Sequence, residues 1–488
     1  MAKTAFRIEK DALGEKQVPA AAYWGINTAR AIDNFPISGV GPFPEFVDAF
    51  VILKKAAAMA NVKLGVLPPN IGKAITAAAD EILAGALRDQ FVVDVFQAGA
   101  GTSHNMNTNE VLANRAVEIL GGKKGEYTKV HPNDHVNFGQ STNDAFPTAM
   151  RITGRIQGEK LASAMEHLAA GLAAKGREFD KVLKAARTHL QDAVPIRLGQ
   201  EFAAYAAAVR KDLRSLRYAL REIEELGIGG TAAGTGINAH PRYAKEVVAN
   251  LRKLTGFQFR TCPDMREAMQ SQTPIARLSG AMRDFCTNLI RIANDLRLLA
   301  SGPTTGFNEI LLPPVQAGSS IMPGKVNPVM AECADMVCFH VMGNDLTIAL
   351  ACQAGQLELN VMMPVMIYNL LQSEIILANM CRALRDKCID GIRANVEVCR
   401  SYADRSMSLA TALAPHIGYS RSAEIAKESA RTGRTVPEVA AEKAGLPAEA
   451  LKRILDPFPM TRPGIPGRIE GGRKKNPRPS TGPKARRG

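Results

Sequence analysis

Residues 144–183 read DAFPTAMRITGRIQGEKLASAMEHLAAGLAAKGREFDKVL, and apolar side chains recur through the run at intervals of three and four. If continuous, this is an amphipathic helix of about eleven turns, several times longer than the usual globular helix. Much of its apolar face is alanine. Such small side chains gain contact only when another backbone comes close, so the run predicts close helical neighbours. Residues 201–226 (EFAAYAAAVRKDLRSLRYALREIEEL), 333–355 (CADMVCFHVMGNDLTIALACQAG) and 365–392 (VMIYNLLQSEIILANMCRALRDKCIDGI) repeat the pattern and supply those neighbours. The fold class is all-α, built around a bundle of long helices.

The rest of the chain is arranged around that bundle. Residues 1–142 begin with a Pro/Gly-rich lead and continue in shorter helical patterns, which reads as an N-terminal helical domain. The central long-helix domain spans 143–397, and 398–460 reads as a small C-terminal helical domain broken at PHIGY and GLP. A basic tail, 461–488, follows. Of a formal net charge of +14, half lies in the last 26 residues, where eight Lys/Arg face one Asp/Glu among glycines and prolines. This composition predicts a disordered extension, and it weakens the case for a specific nucleic-acid partner. Eight cysteines without a CxxC pair predict buried, reduced thiols and no metal scaffold. No apolar run approaches membrane-spanning length, and MAKTAFRIEKDALGEKQ lacks the apolar core of a signal peptide. The expectation is a cytoplasmic protein with no membrane contact.

Helical stripes alone would suit a noncatalytic helical assembly or a nucleic-acid-binding protein using the basic tail; they leave four polar stretches unexplained. In GAGTSHNMNTNEVLANRA, from Gly99, Thr102 precedes a helical pattern, as a cap or as a hydroxyl offered to an anion. In HPNDHVNFGQSTNDAFPTAM, Ser141, Thr142 and Asn143 lie at the start of the longest helix, where carboxylates are favourably held. His131, His135 and Asp134 in the same stretch lack the spacing of a metal site. RTHLQDAVPIRLGQEF places Thr188 and His189 ahead of another helix, and His189 offers proton transfer near neutral pH. AGSSIMPGKVNPVMAE, residues 317–332, interrupts the helices with two glycines and two prolines and reads as a mobile binding lid. Its Ser319 is a base only if hydrogen bonds and positive charge stabilise the alkoxide. Walker, dinucleotide and GxSxG patterns are absent.

Taken in order, GAGTSHNMNTNEV, HVNFGQSTNDAFPTA, RTHLQDAVP, NDLRLLASGP and GSSIMPGKVNP resemble the aspartase/fumarase family over about residues 6–456. The resemblance implies a three-domain helical subunit, a homotetramer with a twenty-helix core, and active sites assembled from three subunits. It implies Ser319 as catalytic base, with Lys325, Asn327 and Thr188 on the α-carboxylate. Thr102, Ser141 and Thr142 would surround the β-carboxylate; Asn143 and His189 would lie near the amino group, with Glu332 as acidic partner of His189. His131, Asn133 and Asp134 match a secondary carboxylate site of fumarases, where a structural role is an equal alternative. The implied reaction is reversible deamination of L-aspartate to fumarate and ammonia, with no required cofactor and magnesium at most an activator. QSTND, TNEVLAN and GQLELNVMMPV favour this ammonia-eliminating branch over hydration of fumarate to L-malate. GPTTGF, lacking the usual arginine, and His104 depart from the pattern and bear on substrate range.

Overall fold

A computed structural model describes residues 5–468. The described helices are α1 (Ile26–Asn34), α2 (Pro44–Lys63), α3 (Pro69–Leu83), α4 (Thr102–Ile119), α5 (Thr142–Glu178), α6 (Leu198–Glu222), α7 (Tyr243–Thr255), α8 (Met265–Gln270), α9 (Thr273–Leu299), α10 (Val329–Gln353), α11 (Met363–Lys387), α12 (Val396–Arg405), α13 (Ala414–Ile417), α14 (Tyr419–Thr432), α15 (Val436–Lys443) and α16 (Ala448–Ile454). Strand is confined to two-stranded pieces: β1 (Phe6–Asp11) with β2 (Gly14–Pro19), β3 (Leu183–Thr188) with β4 (Gln191–Arg197), β5 (Glu225–Leu226) with β6 (Arg260–Thr261), and β7 (Ile310–Leu311) with β8 (Arg393–Ala394). The fold is helical, as the periodicities predict. Segment 144–183 becomes the 37-residue α5, which starts two residues earlier and ends at Glu178, before β3 takes over.

The described chain divides into two compact units that interleave in sequence. The first runs to Ala173 and resumes over Tyr205–Leu298 and Leu312–Gly391; the second takes Ala174–Ala204, Leu299–Leu311 and the described residues from Ile392. The sequence reading instead divides the chain into consecutive stretches at 142, 397 and 460.

In the first unit, α2, α3 and α4 share a core that includes Val51, Ile75, Ile82, Leu112 and Val117. The start of α1 lacks a local cap, and Glu110 of α4 supplies one from afar. Its carboxylate accepts from the backbone N–H groups of Gly25, Asn27 and Thr28 and from the Thr28 hydroxyl, at 2.7–3.2 Å. Helices α10 and α11 pack along each other and are pinned by Asn344 Nδ2 donating to Ser373 Oγ at 3.1 Å. One face of α10 remains exposed within the chain. Met336, Phe339, Leu346 and Leu350 are 61, 58, 62 and 53% exposed, with Gly343 open between them. The 3-4-3-4 spacing is that of a helix–helix seam.

In the second unit, β3 and β4 form a hairpin whose two turn residues are His189 and Leu190. Buried Lys184 on β3 pairs with Glu201 and Glu309, each at 3.0 Å, and Arg187 reaches Glu309 at 2.9 Å. A small core of Leu413, Ile425, Val436 and Val439 joins the short helices that follow. The stretch 461–488 is described only as far as Arg468, and there His416 Nε2 lies 2.8 Å from Pro466 O. Residues 469–488, most of the basic tail, lie outside the described residues.

Candidate active site

Two helix starts meet in the first unit. Gly101 precedes α4 with φ +83°, and a Cβ there would come within 2.0 Å of the Phe146 ring of α5. Only glycine permits so close an approach in that conformation. Thr102 is consequently the first residue of α4; its exposed side chain makes no hydrogen bond among the described residues, so it is not spent as a cap. At the start of α5, Ser141 Oγ accepts from Asn143 N at 3.2 Å while Asp144 accepts from Ser141 N at 2.9 Å, a reciprocal cap. Thr142 Oγ1 accepts from Asn105 Nδ2 of α4 at 2.9 Å, which ties the two starts together. The positive ends of two helix dipoles thus share one neighbourhood with the hydroxyls of Thr102, Ser141 and Thr142, the chemistry that holds a carboxylate.

A buried charge lies behind them. Lys54 of α2 is fully buried, and its ammonium donates to Asn137 Oδ1 at 2.8 Å and Gln140 Oε1 at 2.9 Å. Burial lowers its pKa to about 7, against the opposing pull of Asp144. Burial likewise raises Asp144 to about 6, although it accepts from the backbone N–H groups of Ser141, Gly229 and Thr231. Two of those donors belong to the stretch GGTAAGTG, residues 229–236, whose Ala232 carbonyl also accepts from Asn143 Nδ2 at 2.8 Å. The sequence reading passes over this stretch, although its four glycines and the left-handed Thr231 mark a tight backbone wrapped around a partner. It also misses Lys54, which shares the helical spacing of the buried Val47, Phe50, Val51 and Ala58. Asn105 and Asn137 carry no such signal.

His104 stands beside Thr102 but turns inward. Its ring stacks on Phe46 at 5.0 Å and meets Phe50 edge-on at 4.9 Å, and neither ring nitrogen has a hydrogen-bond partner. Burial, helped by the nearby Lys54 charge, pushes its pKa down to about 3, so the imidazole is neutral.

The 317–332 loop is compact rather than formless. Ser319 Oγ accepts from the backbone N–H groups of Met322 at 2.9 Å and Ile321 at 3.3 Å. Asn327 Nδ2 donates to Gly318 O, closing the loop across its base. Gly318 permits that closure, because a Cβ there would lie 1.7 Å from Lys325 O, whereas Gly324 has φ +81° and nothing within 4 Å. Lys325 is exposed, and Glu332 sits in the first turn of α10.

Thr102, Ser141, Thr142 and Asn143 are brought together. Among the described residues, Ser319, Lys325, Asn327 and Glu332 make no hydrogen bond to that group. Thr188 and His189 belong to the second unit, at the exposed end of the β3–β4 hairpin, where His189 and Leu190 have φ +57° and +58°. His131 is engaged locally: its Nδ1 accepts from Asn133 N at 3.1 Å and Asp134 N at 3.2 Å and so caps the turn Pro132–Val136, which leads into Asn137. Asn133 and Asp134 are exposed on that turn. Among the described residues no group of three or more His, Cys, Asp or Glu side chains is placed to hold a metal ion, and no helix is long and apolar enough to cross a membrane.

Comparison with known proteins gives this geometry its context. The family model described as "Lyase" matches residues 14–343, and one described as "Fumarase C C-terminus" matches residues 409–462. The aspartate ammonia-lyase of Bacillus subtilis is 49% identical over 463 residues, covering 95% of this chain and 98% of the relative. That of Pseudomonas aeruginosa is 48% identical, covering 94 and 98%. A fumarate lyase:delta crystallin structure from Brucella melitensis, bound to cobalt, superposes with a TM-score of 0.91 at 50% identity, covering 94% of this chain and all of that one. A class II fumarase from Schistosoma mansoni gives the same TM-score at 37% identity, covering 94 and 99%. Matched along nearly its whole length in sequence and in fold, the chain belongs to the aspartase/fumarase family of lyases.

Proposed function

We propose that the chain is an aspartate ammonia-lyase, catalysing reversible, nonhydrolytic deamination of L-aspartate to fumarate and ammonia. The observation that carries this reading is the convergence of two helix starts and three short hydroxyl side chains in front of a buried lysine, a site made for one carboxylate that gains charge. The names of relatives that align over nearly the whole chain support the same substrate.

The obstacle is the weak acidity of the C3 proton. Ser319 as alkoxide takes it, and the two N–H groups aimed at its Oγ favour the anionic form, with the Lys325 charge in the same loop. The electron pair left on C3 delocalises into the β-carboxylate, giving an aci-carboxylate with about two negative charges. Thr102, Ser141, Thr142 and the helix-start N–H groups stabilise that state more than the substrate, which is what lowers a barrier. The C2–N bond then breaks and ammonia leaves near Asn143 and His189, with Glu332 as partner of His189, while Lys325, Asn327 and Thr188 hold the α-carboxylate. Side chains carry each of these steps without a redox, nucleotide or pyridoxal group.

As the family resemblance implies, the complete site is shared among subunits of a homotetramer. The exposed α10 seam supports such an assembly. Hydration of fumarate is the competing reaction, favoured by the similarity to a class II fumarase. One assay decides. Purified protein given L-aspartate should release fumarate and equimolar ammonia, and L-malate should yield no fumarate. Fumarate from L-malate alone would replace this reading with a hydratase.

A further inference from the structure

The hydrogen bonds behind Thr142 have a direction that can be worked out from chemistry. A carbonyl oxygen accepts only, so the atom of Asn137 facing Gln140 O at 3.2 Å is its nitrogen, and the atom facing Lys54 Nζ at 2.8 Å is its oxygen. That oxygen also receives Asn109 Nδ2 at 3.2 Å and Asn105 Nδ2 at 3.4 Å. The amide of Asn105 is thereby oriented, and its nitrogen has a second hydrogen to give. It gives it to Thr142 Oγ1 at 2.9 Å. A threonine hydroxyl that accepts from behind keeps its own hydrogen for the other side.

The cost of this orientation is visible. Asn105 Oδ1 is buried without a partner, a desolvated acceptor left unsatisfied. Flipping the amide would let Oδ1 take the Thr142 hydrogen, but it would also set that oxygen against Asn137 Oδ1. Asn137 forbids the flip.

We infer that Asn105, oriented by Asn137, is a positioning residue that fixes the Thr142 hydroxyl as a hydrogen-bond donor toward the substrate's carboxylate. This rests on the reading of Thr142 as a β-carboxylate residue. A donor already aimed where charge develops needs no reorganisation during the reaction. Freed from Asn105, the hydroxyl can turn its hydrogen elsewhere and the advantage is lost.

The test is a double-mutant cycle on the full chain with L-aspartate, using Asn105→Leu, Thr142→Val and the double variant. Asn105→Ala stands in should the leucine variant lose its cooperative melt. Each single change is expected to lower kcat about 10- to 100-fold, with a smaller change in KM. The double variant should be no slower than Thr142→Val alone, because Asn105 acts only through that hydroxyl. Losses that multiply, or an Asn105 variant at wild-type kcat, overturn the inference while leaving the lyase reading intact. A Thr142→Val enzyme at wild-type rate removes the carboxylate role of Thr142 and this inference with it.

Discussion

At the scale of single residues, the neighbourhood of the paired helix starts is governed by what burial does to charge. His104 shows it most simply, because its ring lies among Phe46, Phe50 and Phe91 with no partner for either nitrogen. Unfolded, a histidine takes up its proton near pH 6.5; folded, this one does so only near 3. Between those values the unfolded chain binds more protons, so the stability His104 allows above pH 6.5 drains away as pH falls. The slope is about 1.4 kcal/mol per pH unit. His104→Leu removes the term, and its urea-unfolding stability relative to wild type should improve by about 2 kcal/mol between pH 7.5 and pH 5. A difference that stays constant across that range would mean that the folded imidazole takes up its proton at the same pH as the unfolded one. Lys54 obeys the same rule, as a base whose folded pKa of about 7 lies far below its ordinary value. The sequence marks His104 only as a departure from the family pattern, not as a buried ring, and it does not expose Lys54, because a lysine pair in an alanine-rich helix looks like its wet face.

At the scale of elements, the long helices are legible because their cause is local. An apolar residue every three or four positions dictates α5, α6, α10 and α11 whatever packs on them. The β3–β4 hairpin is not legible, since LKAARTHLQDAVPIR offers no Asn-Gly turn and little β-branching; two non-glycine residues in the left-handed region make its turn instead. Such a turn stores roughly 1–3 kcal/mol per strained residue, and it sets Thr188 and His189 at an exposed tip. The 317–332 loop is half legible. Its glycines are read as freedom to close, yet the two do different work. Gly318 exists for a close contact with Lys325 O, and Gly324 for its positive φ. Gly318→Ala should therefore lower kcat at least about 10-fold by displacing Ser319 and its N–H donors, with little change in melting temperature because the loop is exposed. Gly324→Ala meets open space and carries only about 1 kcal/mol of backbone strain, so its kcat should stay within about 5-fold of wild type. Equal losses in the two variants would show that loop freedom, not the Gly318 contact, places Ser319.

At the scale of the whole molecule, the sequence motifs identify the chemistry but cannot say which copies of the chain supply it. The paired helix starts are tied together within one chain, and among the described residues Ser319 makes no hydrogen bond to them. The α10 seam of Met336, Phe339, Leu346 and Leu350 is apolar surface that water should not be left to cover. Both facts follow if subunits associate through long helices and each site draws on more than one of them. Then Ser319→Ala and His189→Ala, each nearly inactive as a homo-oligomer, should complement when mixed under conditions that exchange subunits. With random assembly from equal amounts, about one site in four receives an intact Ser319 and an intact His189 from different chains. Activity recovering to about a quarter of wild type, while size-exclusion chromatography shows no change in assembly, fits shared sites. Activity that remains at the level of the separate variants would place both residues on the same chain at each site, and the shared-site reading would have to go.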